Sequence, residues 1–444
     1  MKLWDKGAKM NDLIAAFTVG KDPEMDFLLA GFDVIGSLAH IQMLEHVGLL
    51  TLEEFTALSG ELRNIHSEIV AGNFVIAEGV EDIHSQIELL LTFRLGEMGK
   101  KIHSGRSRND QVLLDLKLFT RDAIQTVTHN CLRLFGVLMA QSERYKEILL
   151  PGYTHLQVAM PSSFGLWFSA YAESLTDDLA LLQAAYRVAD QNPLGSAAGY
   201  GSSFPLDRQL TTDLLGFETM NVNVVYAQMG RGKMERTVLF ALASIASTLS
   251  RLASDVCLYM SQNFNFVGLP DELTTGSSIM PHKKNPDLFE LLRAHCNRIQ
   301  SLPSQMLSVT NNLPSGYFRD MQLTKELFLP AFAELNDCLS IATFALENIT
   351  IRENILAEEK YRFIYSVEAV NKLVLAGVPF RDAYKAVGKQ IEENRFAPDH
   401  EIHHTHEGSI GNLCLDRIEA KMKRVVDQFH FETATKAVDA LLKR

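Results

Sequence analysis

The chain has no surplus of positive charge: 42 Lys and Arg face 54 Asp and Glu among 444 residues, a net charge of -12. A phosphate backbone needs a basic surface, so nucleic-acid binding is excluded as the main task, whereas a basic pocket for a small anion is not. Cysteine is scarce. The five residues at 131, 257, 296, 338 and 414 contain no C-x-x-C pair, and reduced thiols in the cytosol are the expectation. The most apolar stretch, about Val238 to Met260, is interrupted by Arg251 and Asp255, so it reads as a core helix rather than a membrane span. The opening Met1-Lys2-Leu3-Trp4-Asp5 does not read as a signal peptide. There is no Walker loop, dinucleotide fingerprint or HExxH, and neither a cofactor nor a metal is expected. Strand signals are weak, and neither repeats nor low-complexity segments occur.

What the chain does have is helical periodicity. From Val112, apolar or small residues recur at 116, 119, 123, 127, 131, 134 and 138. That spacing predicts one amphipathic helix over 107–147. Further helices are expected over 161–190, 228–263, 286–312 and 324–349, separated by Pro151-Gly152, the stretch 193–205, Gly268-Leu269-Pro270 and Leu313-Pro314-Ser315-Gly316. Helices this long suit a bundle. The expected fold is therefore all-α, a long central bundle over 107–355 between a smaller N-terminal domain, 1–106, and a C-terminal helical domain, 356–444.

Four polar stretches punctuate this pattern. Gly276-Ser277-Ser278-Ile279-Met280-Pro281-His282-Lys283-Lys284-Asn285-Pro286 sets two hydroxyls and two lysines beside a helix start. Asn285 is expected to cap that helix and Pro286 to occupy its first position, a setting that favours carboxylates. By composition alone the run is also an ordinary interhelical loop. Pro151-Gly152-Tyr153-Thr154-His155-Leu156-Gln157-Val158-Ala159-Met160-Pro161 is read as a loop before a helix at 161, bringing Thr154, His155 and Gln157 together. His103 to Gln111 pairs Arg106 and Arg108 with Ser107, Asn109 and Gln111 in a possible carboxylate clamp. The fourth stretch, Gly316 to Lys325, offers Tyr317, Arg319, Gln322 and Lys325, or else a turn with a local Arg319–Asp320 pair.

GSSxMPxKxNP resembles the signature of the fumarase/aspartase superfamily. Taken together, SGRSRNDQV (104–112), YTHLQ (153–157), GSSIMPHKKNPD (276–287) and YFRDMQ (317–322) resemble the argininosuccinate lyase family in order and spacing. Val80-Glu81-Asp82-Ile83-His84 and Asp33 to His40 look like its N-terminal segments. Three places depart from the family pattern: Asp5-Lys6-Gly7 after Trp4, Phe318, and the glycine-rich loop 193–205, whose composition suggests nucleotide binding but which follows no strand.

The resemblance implies a β-elimination that releases fumarate and arginine through an aci-carboxylate, without a cofactor or metal. It implies Ser277 as base, His155 on the acid side, Glu290 as partner of that histidine, and Lys283 as a stabilising cation. Ser107, Arg108, Asn109, Gln111, Thr154, Asn285, Tyr317, Arg319, Gln322 and Lys325 are then expected to hold the substrate. Other fumarate-releasing lyases, or a non-catalytic structural relative, are the alternatives. The expected helix over 107–147 is roughly 60 Å long, so its two ends meet one substrate only across subunits. With the resemblance this implies a homotetramer that shares its sites, expected in the cytoplasm from its cysteines, with a small-molecule substrate and neither nucleic acid nor membrane as partner. His403, His404 and His406 read as a solvated linker rather than a metal site.

Overall fold

A computed structural model describes residues 11–77, 79–276 and 278–443 and is mainly helical. Its centre is a bundle of five long helices: α1 Arg108–Arg144, α2 Phe164–Ala189, α3 Lys233–Met260, α4 Asp287–Thr310 and α5 Thr324–Glu347. The expected helices are all present, each a few residues shorter than its periodic stretch. α1 starts at a reciprocal cap. The Ser107 hydroxyl accepts from the Asn109 amide at 3.3 Å, and the Asp110 carboxylate accepts from the Ser107 amide at 2.8 Å. The periodic stripe of α1 points inward: Val112, Leu116, Ala123, Val127, Cys131, Leu134 and Leu138 lie in the main core, with Phe119 packed at its edge.

α3 lies against α2, α4 and α5, with Val238, Leu242, Ile245, Leu249 and Val256 fully buried. α3 and the stretch Arg319–Glu347 have the length and apolarity of membrane-crossing helices, and half of each apolar window is buried within the chain. α3 and α4 run in opposite directions. A Cβ on Gly232, at the start of α3, would fall 2.7 Å from Thr310 Cγ2, at the end of α4.

One element differs from expectation. The stretch read as a loop before a helix at 161 is a hairpin, β1 Leu149–Thr154 with β2 Gln157–Ser163. Pro151, read as a breaker, and Pro161, read as closing the loop, face each other across it where the register shifts, a place that tolerates residues without an N–H. α2 begins at Phe164, capped by Ser163, whose hydroxyl accepts from the Leu166 amide at 3.1 Å.

Helices Ala30–His46, Leu52–Val70 and Ile83–Leu95 build a second core with Leu114 and Leu118 of α1. Helices Ser366–Leu375 and Phe380–Glu392 enclose a small third core of Val370, Ala383, Val387 and Phe396. The last two helices leave that region. Leu415–Val426 packs on α2, and Phe431–Lys443 returns to the second core, where the Leu441 carbonyl accepts from Arg63 Nε at 3.1 Å.

Candidate active site

The start of α1 opens into a cleft of about 170 Å³. Six of the expected residues meet there: Arg108 and Asn109 from α1, Tyr317, Arg319 and Gln322 from the turn leading into α5, and Lys325 from the first turn of α5. Arg108 reaches Asp82 at 3.0 Å and Glu81 at 3.6 Å, and donates to the Ser85 hydroxyl at 2.5 Å. Arg319 donates to Glu81 at 2.9 Å and to Gln322 Oε1 at 3.1 Å. Gln322 in turn donates to the Thr18 and Val19 carbonyls at 3.0 and 2.9 Å.

Lys325 is almost wholly buried, with Asp22 and Asp26 each 2.5 Å from its ammonium. Burial alone would lower its pKa; Asp26 and Asp22 override this and raise it. Burial pushes the Asp22 carboxyl up, against the pull of Lys325. The cleft thus holds Arg108, Arg319 and Lys325 opposite Asp22, Asp26, Glu81 and Asp82, a bipolar lining suited to a ligand that carries both carboxylates and cations.

Two further cleft residues were not singled out from the sequence. Arg231 donates to the Met321 carbonyl at 3.0 Å and lies over the Tyr317 ring at 6.0 Å; its only local mark is the Gly230-Arg231-Gly232 punctuation. His84 belongs to the Val80–His84 segment, whose likeness to the family was the available signal. It is buried between Asp33, at 3.4 Å, and Asp115, at 3.6 Å. Burial lowers its pKa, but Asp33, Asp115 and Asp82 outweigh that and raise it to about 9. The donor atoms of Asp33, His84 and Asp115 lie within 4.8 Å of one another, the one such group among the described residues. With the imidazolium in place and the buried Arg106 guanidinium interacting with both carboxylates, these charges fit a built-in cation without a bound ion.

Arg106 does not join the clamp expected of it. It is buried and donates to the Ser37 hydroxyl at 3.0 Å, because its place before the cap turns it inward. Gln111 is likewise buried, outside the cleft lining, and Ser107 is spent as the cap of α1. The glycine-rich loop serves this helix start: the Gly195 and Ala197 amides donate to Asp110 at 3.0 and 2.9 Å. Burial lifts the Asp110 carboxyl to about 6, against these amide bonds.

The other expected residues lie elsewhere. Thr154 and His155 are exposed at the hairpin tip. His155 and Leu156 form its two-residue turn with φ of 53° and 58°. Such a turn favours Asn-Gly, and a His-Leu pair held left-handed costs about 1 kcal/mol or more per residue. The tip therefore stores strain at the residue expected to do chemistry.

Ser277 lies outside the described residues. Lys283 is exposed in a turn closed by its amide to the Met280 carbonyl at 3.0 Å. Asn285 is not the cap of α4, which starts at Asp287 after Pro286. Its amide instead donates to the Thr275 carbonyl at 2.8 Å and pins the base of the loop, while the Thr275 hydroxyl donates to Asp287. Glu290 is exposed on the first turn of α4.

Distance separates these groups. α1 has 37 residues and so spans about 55 Å. Its first third lies beside the start of α3, where Thr120 reaches Met234 Sδ at 3.7 Å. The hairpin lies beyond the far end of α3, with Tyr153 against Phe264. The loop before α4 belongs to that far end too, given the opposed α3 and α4. In the C-terminal stretch His404 pairs with Glu368 at 3.0 Å and His403 approaches Glu401 at 3.6 Å.

A family described as lyase matches residues 8–301. The chain is 64% identical to the argininosuccinate lyase of Parabacteroides distasonis over 441 residues, 99% of each chain. It is 64% identical to that of Bacteroides thetaiotaomicron over 443 residues, 100% of this chain and 99% of the relative. Among solved structures, an EDDS lyase in complex with formate superposes with a TM-score of 0.74 at 22% identity, covering 96% of this chain and 93% of the other. A class II fumarase from Schistosoma mansoni gives 0.71 at 16% identity, covering 94% and 93%. These two share the fold. Identity sustained over the whole length goes further: the chain belongs to the argininosuccinate lyase family.

Proposed function

We propose that the chain cleaves argininosuccinate into L-arginine and fumarate. The observation that carries this reading is the bipolar cleft at the start of α1, in which four basic side chains, Arg108, Arg231, Arg319 and Lys325, and four carboxylates face one another beside Asn109 and Gln322. The substrate offers three carboxylates to one set, and a guanidinium and an α-ammonium to the other.

The chemistry follows from the succinyl group. A base removes the proton next to a carboxylate, the electron pair delocalises into that carboxylate, and the bond to the guanidinium nitrogen then breaks as the nitrogen is protonated. The doubly charged aci-carboxylate needs fixed cations and donors; Lys283, Asn285 and the loop amides are suited to this. Ser277 is the base by its position in the signature, and His155, oriented by Glu290, stands on the acid side. Arg108, Asn109, Tyr317, Arg319, Gln322 and Lys325 hold the substrate, Thr154 completes its surroundings, and Ser107 and Gln111 act from behind by fixing the helix start that carries Arg108 and Asn109.

The hairpin that carries Thr154 and His155 lies one helix length, roughly 55 Å, from the cleft that carries Arg108 and Lys325. This supports a homotetramer that builds each site from several chains, in the cytoplasm as the scarce, unpaired cysteines suggest. Exposed apolar side chains support this reading: Leu156 at the hairpin tip, Phe240 on α3, Leu291 on α4 and Phe344 on α5 are 76%, 49%, 62% and 48% exposed. Purified protein added to argininosuccinate is expected to raise absorbance at the fumarate band. Turnover of adenylosuccinate or malate in its place would overturn the substrate assignment.

A further inference from the structure

A second, larger cavity of about 970 Å³ lies at the base of the hairpin, between β1 and the 353–365 segment, with residues 396–400 along its side. Its floor is apolar, with Leu149, Ile355, Leu356 and Phe396 among its lining. Glu147, Glu353, Glu358 and Glu359 also line it, against Arg362. That guanidinium is already engaged: Nε donates to the Phe396 carbonyl at 3.0 Å and Nη1 to Asn394 Oδ1 at 3.1 Å. Glu358 is matched by Arg352 and Lys360, and Glu359 lies 3.5 Å from Arg362. Glu147 and Glu353 have no hydrogen bond or ion pair among the described residues, and both are exposed.

A separate observation points into the same space. Tyr365 is only 3% exposed and lines the cavity. Its ring meets His400 edge-on, yet its hydroxyl has no hydrogen-bond partner among the described residues. The hydroxyl is not sealed from the cavity, so it presents an unpaired donor and acceptor there.

We propose that this cavity binds an organic cation built on a methylene chain, of the alkyl-guanidinium or alkyl-ammonium class. The chain lies on the apolar floor, the cationic head meets Glu147 and Glu353, and a second polar group meets the Tyr365 hydroxyl. Arginine belongs to this class, and its standing as a product rests on the reading of function above. β1 forms one wall, and the hairpin is tied to the opposite wall by the Tyr153 and Tyr361 hydroxyls, 3.2 Å apart. A ligand here therefore touches the base of the element that carries His155.

Calorimetric titration of the intact oligomer with 4-aminobutylguanidine, which lacks the carboxylate that the cleft recognises, tests this. The expected result is one saturable site per chain. Removing two carboxylates in the Glu147→Gln/Glu353→Gln variant should weaken that site by roughly tenfold or more, and Tyr365→Phe should weaken it further. Cleavage of argininosuccinate by the double variant should match the wild type, because neither residue touches the cleft. With arginine, the wild type should show one more site per chain than the double variant. Absence of saturable binding, or binding that the double variant leaves unchanged, would overturn the inference. A failure to cleave argininosuccinate would instead overturn the reading of function.

Discussion

His84 Nδ1 lies 3.4 Å from Asp33 Oδ1 in a pocket closed to water, with Asp115 on its other side at 3.6 Å. Burial disfavours the charged ring, but the three carboxylates around it win and set its pKa at about 9, against an ordinary value of 6.5. A raised folded-state pKa contributes stability that is complete below about 6.5 and is lost as pH rises through about 9. The shift is worth as much as about 3 kcal/mol. Denaturant titrations at pH 6 and pH 10 should therefore show a steeper loss in the wild type than in His84→Gln. Parallel pH dependences would rule out a charged His84.

Lys325 is another buried cation, held by Asp22 and Asp26. Lys325→Met leaves two buried carboxylates without their partner and should cost about 3–5 kcal/mol. A single variant therefore confounds folding with substrate binding. Lys325→Met/Asp26→Asn should recover part of the stability, because one stranded charge is removed, while argininosuccinate turnover stays lost. Recovery of both would make Lys325 a structural residue only.

The bundle was legible in the sequence because α1 obeys one simple rule. Val112, Leu116, Val127, Leu134 and Leu138 repeat at helical spacing, and the core receives them all. The hairpin was not legible, since Pro151 and Pro161 mask a short pairing whose register only tertiary contact fixes. The cleft was half legible. Motif order pointed to Arg108, Asn109 and the Tyr317–Lys325 run, but no local pattern shows that Arg106 turns inward or that Arg231 arrives from over a hundred residues away. Asp110 illustrates the same limit: it reads as a helix-start acid, yet it also anchors Gly195 and Ala197.

The hairpin is placed by a close approach at its base. A Cβ on Gly165 would fall 2.6 Å from Lys146 Cα and 2.8 Å from the Ser142 carbonyl, both backbone atoms. The Ser142 hydroxyl also donates to the Gly165 carbonyl at 2.6 Å. Gly165→Ala must push α2 away from the end of α1, at a cost of about 1–3 kcal/mol. Because β2 runs directly into α2, His155 should shift with it. Thermal denaturation should show the lower stability, and turnover should fall more than substrate affinity does. An unchanged melting temperature would mean that the contact is absent in solution.

The proposal that sites are shared has its own test, which follows from α1. A straight helix of 37 residues holds its two ends about 55 Å apart, so Arg108 and His155 of one chain cannot touch the same substrate. On the shared-site proposal, symmetric packing of subunits brings the hairpin and the loop of other chains to each cleft. His155→Ala and Ser277→Ala should each be inactive alone. If the two residues of one site come from different chains, subunits exchanged at random from an equal mixture leave both intact in about a quarter of the sites. Activity should then return to about that fraction of wild type, and it should follow the mixing ratio. If both residues came from the same chain, every mixed site would lack one of them and no activity would return. Failure to recover activity after exchange has been verified by mass spectrometry of mixed oligomers would place His155 and Ser277 of a site on one chain, and full activity in a monomer measured by light scattering would defeat the shared-site reading altogether.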